Sequence, residues 1–191
     1  GAPAALGDVR VSVHYELYDG VPLFSKWITV HNDSDEPVLV DDFTIEILAA
    51  VERDSLVETR DIESLKPPHL RVETEYSMGG LSYGNSQSHG FRWTEDPQFQ
   101  SQVNYTRATP CLLEVGPANQ VLRTVAPGER LASYRAFIGP YDSEDRTRMA
   151  LTDCRVYKSI APWATENPLM MHVRHADEAS VKLAIDQCAE L

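Results

Sequence analysis

The stretch from Val9 to Val51 constrains the fold of this chain more than any other part of it. Apolar and polar residues alternate along it, which is typical of strands that have one covered face. Asp19-Gly20 interrupts the alternation and predicts a two-residue type I′ hairpin turn, because both central positions of that turn need left-handed backbone. The stretch therefore predicts three consecutive antiparallel strands.

The predicted turn also fixes the register of the first two strands. It places Tyr18 opposite Val21, and the later pairs can be counted outward from there. The pairs on one face are Tyr15 with Phe24, Val11 with Ile28 and Val9 with Val30, and those on the other are His14 with Ser25 and Arg10 with Thr29. The first face is apolar and predicts the beginning of a core.

Three residues of the second strand do not fit this division into faces. Lys26 falls on the apolar face, where a lysine is costly unless it reaches solvent at an edge or meets a carboxylate. Trp27 and Leu23 fall on the polar face, which indicates either a local bulge or a second covered surface.

The first 140 residues contain about eight strand candidates and no convincing helix. Predicted strands follow the hairpin at residues 43–51, 70–76, 110–115, 121–125 and 132–138, and Pro127-Gly128 predicts a type II turn. We expect a mainly β protein with an antiparallel β-sandwich in residues 1–140.

The hydrophobic period changes after residue 140. Ser143 can cap a helix, and residues 141–168 are predicted to be this helix and a linker with two prolines. Leu169–Val173 then predicts an apolar strand, and Asp177 with Glu178 opens an amphipathic helix. Residues 169–191 thus read as the start of a β/α unit, which indicates a truncated chain.

Charge and cysteine content exclude several classes of function. The net charge is −12, with 29 acidic and 17 basic residues, which disfavours nucleic acid and anionic membrane surfaces as partners. No apolar run approaches the length of a membrane span, about 18 residues. Three widely separated cysteines predict free, buried thiols, and no signal peptide is recognisable, so the compartment stays open.

The segment FRWTEDP, residues 91–97, has the composition of a sugar-binding site. Aromatic faces pack on the C–H face of a sugar ring, while carboxylates and guanidinium groups bind its hydroxyls. The alternative is that Phe91 and Trp93 are core residues of a strand. Common hydrolase, metalloprotease and nucleotide motifs are absent, and we predict no metal and no cofactor.

Four runs of the sequence resemble the N-terminal part of bacterial α-galactosidase-like glycoside hydrolases. They are HYELYDGVPLFSKWITVHNDSDEPVLVDDFTIEILAAVE, FRWTEDP, VNYTRATPCLL and YKSIAPWATENPLMMHVRHADEASVKLAIDQCAEL. The resemblance implies a β-supersandwich of the galactose-mutarotase type that packs against a catalytic (β/α)8 barrel. It makes Leu169–Val173 the first barrel strand and Asp177–Leu191 its helix.

The resemblance implies no catalytic residue in this chain, because the family's catalytic carboxylates lie on later barrel strands. It does imply that sandwich loops lean over the barrel mouth, where active sites of such barrels lie. The candidate substrate-binding residues are Trp93, Glu95, Asp96, Trp163, Glu166, His172 and Arg174.

The resemblance therefore implies a non-catalytic N-terminal domain of a glycoside hydrolase. Its expected partners are an α-galactoside or similar carbohydrate and the barrel of the same chain, and the fragment alone is expected to be inactive. A stand-alone carbohydrate-binding or adhesion module is the first alternative, and a purely structural sandwich is the second. The resemblance is compatible with a periplasmic or secreted parent protein.

Overall fold

The computed structural model of the chain describes residues 7–53, 65–76, 89–98, 109–166, 171–174 and 177–190. The chain divides into two compact units, Gly1–Ser143 and Glu144–Leu191. The strands of the first unit are β1 (Val9–Leu17), β2 (Phe24–Asn32), β3 (Val38–Val40), β4 (Glu46–Ala49), β5 (Leu70–Thr74), β6 (Phe91–Thr94), β7 (Leu112–Val115), β8 (Arg123–Val125), β9 (Arg130–Ala132) and β10 (Ala136–Pro140). The helices of the second unit are α1 (Arg146–Ile160) and α2 (Glu178–Ala189), with a 3-10 turn at Pro162–Thr165.

The strands that the structure describes in the first unit form three antiparallel sheets, which confirms a mainly β protein with two C-terminal helices. Sheet A has the order β1-β2-β10-β5, and β9 also pairs with β2. Sheet B is the pair β3-β8, and sheet C has the order β4-β7-β6. The supersandwich type stays a prediction.

Sheets A and C contribute to one hydrophobic core. The buried residues of this core are Ile45, Val72, Leu113, Val115, Ala136 and Ile138. Phe24 pairs with Ile138, and Ile138 pairs with Val72, so these three side chains lie on the same face of sheet A. Residues of sheet C, including Leu48 and Trp93, pack against the same cluster.

The hairpin forms as predicted, but its register is shifted by two residues. Leu17 pairs with Phe24 and Val13 with Ile28, so the connecting loop is longer than the predicted two residues. Gly20 has a φ of 77°, whereas Asp19 is not left-handed, and a type I′ turn needs both. Pro22 lies between the Val21 carbonyl and the Leu23 amide, which hydrogen-bond at 2.8 Å, and its fixed φ suits this tight turn.

A shift of two residues keeps the division into faces, but the apolar face of β1 is not part of the core. Val11, Val13, Tyr15 and Leu17 are 52–82% exposed, and no β1 residue belongs to the core cluster. The expectation that this whole face begins the core is therefore wrong for β1. The core lies against β2, β10 and β5 instead.

One predicted turn forms as expected, and two predicted strands differ from their expected bounds. The type II turn at Pro127-Gly128 is confirmed by a φ of 76° at Gly128 and a 3.0 Å hydrogen bond from Glu129 N to Ala126 O. The strand predicted over residues 43–51 is shorter, and β3 precedes it. The strand predicted over residues 132–138 is divided between β9 and β10. At the break, the Ser133 hydroxyl accepts a 3.0 Å hydrogen bond from the Ile28 amide, in place of a backbone carbonyl.

The second unit contains the two predicted helices. The carboxylate of Asp145 caps α1, rather than Ser143, and the carboxylate of Asp177 caps α2 as expected. Residues 171–174 have no strand structure, so the described part of the strand predicted at Leu169–Val173 is not formed. A strand needs a hydrogen-bonding neighbour, and none of the described sheets includes this segment. Leu169 and Met170 lie outside the described residues.

The cysteines are free, and only Cys111 is buried. Cys154 and Cys188 are exposed on the helices, so the expectation of three buried thiols is wrong for these two. Within the helices that the structure describes, none is long and apolar enough to cross a membrane.

Candidate functional site

A cleft of about 240 Å³ lies where the side chains of β5 and β6 meet. Its lining residues are Pro67, Leu70, Arg71, Val72, Glu73, Phe91, Trp93 and Tyr141. Among the described strands, β5 is the last of sheet A and β6 is the last of sheet C, so the cleft forms between two strands that end their sheets. Three of the lining residues are aromatic, and two carry opposite charges.

The charged residues of the cleft form an ion pair. The Arg71 Nη2 atom donates to the Glu73 Oε1 atom at 2.7 Å, and both side chains are largely buried. The two residues are separated by one position on β5 and therefore point to the same side of the strand. Charge-assisted hydrogen bonds of this length are strong and hold both groups in a defined orientation.

Trp93 has two structural roles. As a residue of β6 it pairs with Leu113 and packs against the core, as the alternative interpretation of FRWTEDP predicts. It also lines the cleft together with Phe91. The same indole can thus support the core with one part and contact a ligand with another.

Glu95 and Asp96 follow β6 and differ in exposure. Glu95 is exposed, whereas Asp96 is buried and its Oδ1 atom accepts a hydrogen bond from the Gln98 amide at 2.9 Å. This contact shapes the turn after the strand. Neither residue lines the cleft.

The other four candidate residues belong to the second unit. Trp163 lies in the 3-10 turn and is 63% exposed, and Glu166 ends that turn and is exposed. His172 and Arg174 are exposed in the segment without regular structure. Of the seven candidates, Trp93 alone lines the cleft.

The outer face of sheet A carries a second group of polar and aromatic residues. The His14 and Trp27 rings stack at a centroid distance of 4.8 Å, and the Arg135 guanidinium lies 4.3 Å from the Trp27 ring centroid. Arg135 also donates to Glu16 at 2.7 Å. These contacts cover the Trp27 ring with residues of its own unit. Its position on the polar face is therefore explained without a second domain packed against it. Leu23, the other exception, is buried.

Lys26 meets a carboxylate, as one of its two predicted alternatives required. Its Nζ atom lies 3.0 Å from Glu46 Oε1, and the side chains are 12% and 13% exposed. Lys26 is on sheet A and Glu46 on β4 of sheet C, so the pair joins the two sheets. Burial alone lowers the pKa of Lys26, but hydrogen bonds to Glu46 and Tyr15 outweigh it and raise the pKa above 10.5.

Comparison of the chain with protein-family models, with curated proteins and with solved structures found no match. The resemblance to α-galactosidase-like glycoside hydrolases therefore stays a prediction. In the part of the chain that the structure describes, no three His, Cys, Asp or Glu side chains come together as metal ligands.

The buried titratable groups predict a loss of stability at alkaline pH. Burial raises the pKa of the Tyr134 hydroxyl and that of the Cys111 thiol, and the pKa of Lys26 is raised as well. The folded chain keeps these protons at pH values where the unfolded chain has lost them, so the free energy of unfolding falls as pH rises above the ordinary values of 9.0, 10.0 and 10.5.

We expect urea midpoints to reveal this fall between about pH 9 and pH 11. Tyr134→Phe removes one of the three titrating groups, so the free energy of unfolding should fall less steeply with pH in this variant. It also removes a 2.9 Å hydrogen bond to the Gly90 carbonyl, so the variant should be less stable at neutral pH. A decline equally steep in wild type and Tyr134→Phe would contradict the assignment of Tyr134.

Proposed function

We propose that the chain is a non-catalytic β domain that binds carbohydrate through the cleft between β5 and β6. In this proposal it serves as the N-terminal accessory domain of an α-galactosidase-like glycoside hydrolase and helps to line that enzyme's active site. The observation that carries the binding role is the combination of Phe91, Trp93 and Tyr141 with the Arg71–Glu73 ion pair around one cleft.

The chemistry of this lining fits a sugar better than a purely apolar ligand. The C–H faces of a pyranose ring pack on aromatic rings, and its hydroxyls need fixed polar partners. A guanidinium donates hydrogen bonds and a carboxylate accepts them, so Arg71 and Glu73 match both functions of a hydroxyl group. The ion pair fixes the two groups before a ligand arrives, which lowers the entropy cost of binding.

The proposal assigns binding, and not hydrolysis, to this cleft. Glycosidic bonds are cleaved by two carboxyl groups held about 5 to 9.5 Å apart. Among the residues that line the cleft, Glu73 is the one carboxylate. We expect the catalytic pair of the parent enzyme to come from its barrel.

One observation favours the alternative of a stand-alone carbohydrate-binding module. All lining residues, from Pro67 to Tyr141, belong to the unit Gly1–Ser143, so the cleft is complete without the second unit. The coding sequence beyond Leu191 separates the two versions. An accessory domain requires about 250 further residues of alternating strands and helices, which is the size of a barrel. Any other continuation would favour the stand-alone carbohydrate-binding module.

Sugar binding is tested by titrating the chain with galactose, α-galactosides and a panel of other sugars, with amide chemical shifts as the readout. We expect shifts at the cleft residues, and an affinity at least about tenfold weaker in Glu73→Gln. Glu73→Gln keeps the shape of the side chain but loses the charge that holds Arg71. Trp93→Ala should abolish binding, although its contact with the core also lowers stability.

Trp163→Ala is the matched control, because it removes an exposed tryptophan of the other unit. Its sugar affinity should equal that of the wild type. No sugar-dependent shift in the wild type, or shifts that survive Glu73→Gln and Trp93→Ala unchanged, would refute the assignment of the cleft.

A further inference from the structure

Strand β1 has one edge with no partner among the strands that the structure describes. It pairs with β2 along its whole length from Val9 to Leu17, without a bulge, and it ends the strand order of sheet A. Edge strands are usually protected by proline, by inward lysine, by bulges or by short length. β1 is nine residues long and contains neither proline nor lysine.

The hydrogen-bond pattern shows which backbone groups face this edge. Tyr18 donates to the Leu23 carbonyl, and the Asp8 carbonyl accepts from Asp33, so the even-numbered residues of β1 point their backbone groups toward β2. Hydrogen-bonded and non-hydrogen-bonded pairs alternate in an antiparallel ladder. The odd-numbered residues therefore point their amides and carbonyls toward the open edge.

The same odd-numbered residues form the exposed apolar row of β1, which consists of Val11, Val13, Tyr15 and Leu17. These side chains are 52–82% exposed, and they lie on the strand whose open edge has no partner among the described strands. A partner that pairs with the edge by its own strand would satisfy the backbone groups and place side chains beside the row.

The sequence of β1 is complementary to itself about Val13. In an antiparallel pair of two such strands centred on Val13, Val11 meets Tyr15 and Val9 meets Leu17. On the other face Ser12 meets His14, and Arg10 meets Glu16 of the opposite strand. This register overlaps the two strands over all nine residues and joins opposite charges twice.

Neighbouring registers lose this match. A shift of two residues in one direction brings Glu16 beside Asp8 and Arg10 beside His14. A shift in the other direction leaves Glu16 opposite Ser12 and Arg10 opposite Tyr18, so both opposite-charge pairs are lost. The first shift sets two carboxylates opposite each other and the second loses both ion pairs, so charge as well as overlap selects the Val13-centred register.

We infer that two copies of this chain associate through antiparallel pairing of their β1 strands about Val13, which joins their two A sheets into one continuous sheet. Closed two-fold symmetry gives every odd-numbered residue of β1 a backbone partner. It also leaves the cleft between β5 and β6 at the opposite end of the strand order from the interface. The pairing therefore does not use the strands that line the proposed sugar-binding cleft.

The oligomeric state of the chain tests this inference by sedimentation velocity over the micromolar concentration range. We expect the wild type to reach twice the mass of one chain. Val13→Pro should weaken association at least about tenfold, because proline removes the central amide at the open edge but no hydrogen bond to β2. Val13→Thr is the control, since it keeps the amide and the β-branched shape and should still dimerise.

A charge exchange tests the register independently of proline. Arg10→Glu or Glu16→Arg alone places like charges across the interface and should favour the monomer, whereas the double exchange should restore the dimer. The double variant also lacks the Arg10–Asp33 and Glu16–Arg135 pairs of the single chain, so restoration cannot come from repair of the fold. Urea midpoints of all variants are measured in parallel.

A register-specific disulfide gives a third measurement. With Cys154→Ser and Cys188→Ser in the background, Val13→Cys should form a dimer on mild oxidation, because residues opposite each other lie within disulfide reach. Val11→Cys should not, since its copy lies four residues away along the strand. A wild type that is monomeric throughout, a dimer unaffected by Val13→Pro, or a chain that accepts only foreign β-strand peptides along β1 would overturn the inference.

Discussion

Replacing Glu46 with alanine is expected to lower the free energy of unfolding by about 3 kcal/mol. The substitution leaves the Lys26 ammonium at the interface of sheets A and C, 12% exposed and without the carboxylate that lies 3.0 Å away. Breaking a buried ion pair on one side costs more than the pair contributes, because the remaining charge stays desolvated. The effect should therefore exceed that of most single substitutions.

The comparison with a double variant separates the charge from the packing. Lys26→Met with Glu46→Leu removes both charges and keeps most of the volume, so we expect it to be more stable than Glu46→Ala alone. Asp33→Ala is the matched control at an exposed ion pair, Arg10–Asp33, and should cost less than about 1 kcal/mol. Urea denaturation measures all three. If Glu46→Ala were as stable as Asp33→Ala, the Lys26 ammonium would be able to reach solvent at little cost in free energy, and the prediction would be wrong.

This pair illustrates how far the sequence predicts the fold. The alternation of β1 and β2 places Lys26 on an apolar face, and desolvation then requires a carboxylate or an escape to solvent. Which carboxylate it is depends on where sheet C packs against sheet A. Glu46 is twenty positions away on β4, and no local pattern connects it with Lys26.

The hairpin shows a limit of a different kind. The prediction that Asp19-Gly20 forms the turn rests on the preference of that dipeptide for left-handed backbone. Gly20 is left-handed and Asp19 is not, so the two-residue turn does not form. A second tight turn at Pro22 makes the hairpin loop longer. Because the shift is two residues, the faces are predicted correctly although each pair is wrong.

Of the residues that line the candidate site, the sequence pointed to Phe91 and Trp93 only. Trp93 stands out in the sequence because charged residues surround it, and it does line the cleft. Arg71 and Glu73 look like ordinary outward residues of a strand, and Tyr141 follows a strand with no sign of a site. Tyr141 reaches Arg71 and Glu73 only through the pairing of β5 with β10, which sets Arg71 opposite Gly139 and Leu70 opposite Pro140.

Gly139→Ala is expected to destabilise the fold by about 3 kcal/mol, the upper part of the range for overpacking. Gly139 lies on β10 beside the turn that leads into β2, and a Cβ atom there would overlap the Pro22 carbonyl oxygen. That oxygen belongs to the backbone, and the pyrrolidine ring fixes the local φ, so it cannot move aside without disturbing the hairpin loop. The new methyl group would also lie 3.3 Å from the Cδ1 atom of buried Leu23.

Two glycine controls isolate this steric cause. At Gly90 a Cβ atom would lie 2.5 Å from the Thr74 hydroxyl oxygen, which can rotate away, so Gly90→Ala should cost clearly less than Gly139→Ala. At Gly20 nothing lies within 4 Å, and Gly20→Ala should cost only the left-handed backbone term, about 1 kcal/mol. Thermal and urea unfolding of the three variants rank these costs. If Gly139→Ala were no less stable than Gly90→Ala, β10 would be able to shift away from the Pro22 carbonyl at little cost, and the assigned steric cause would be wrong.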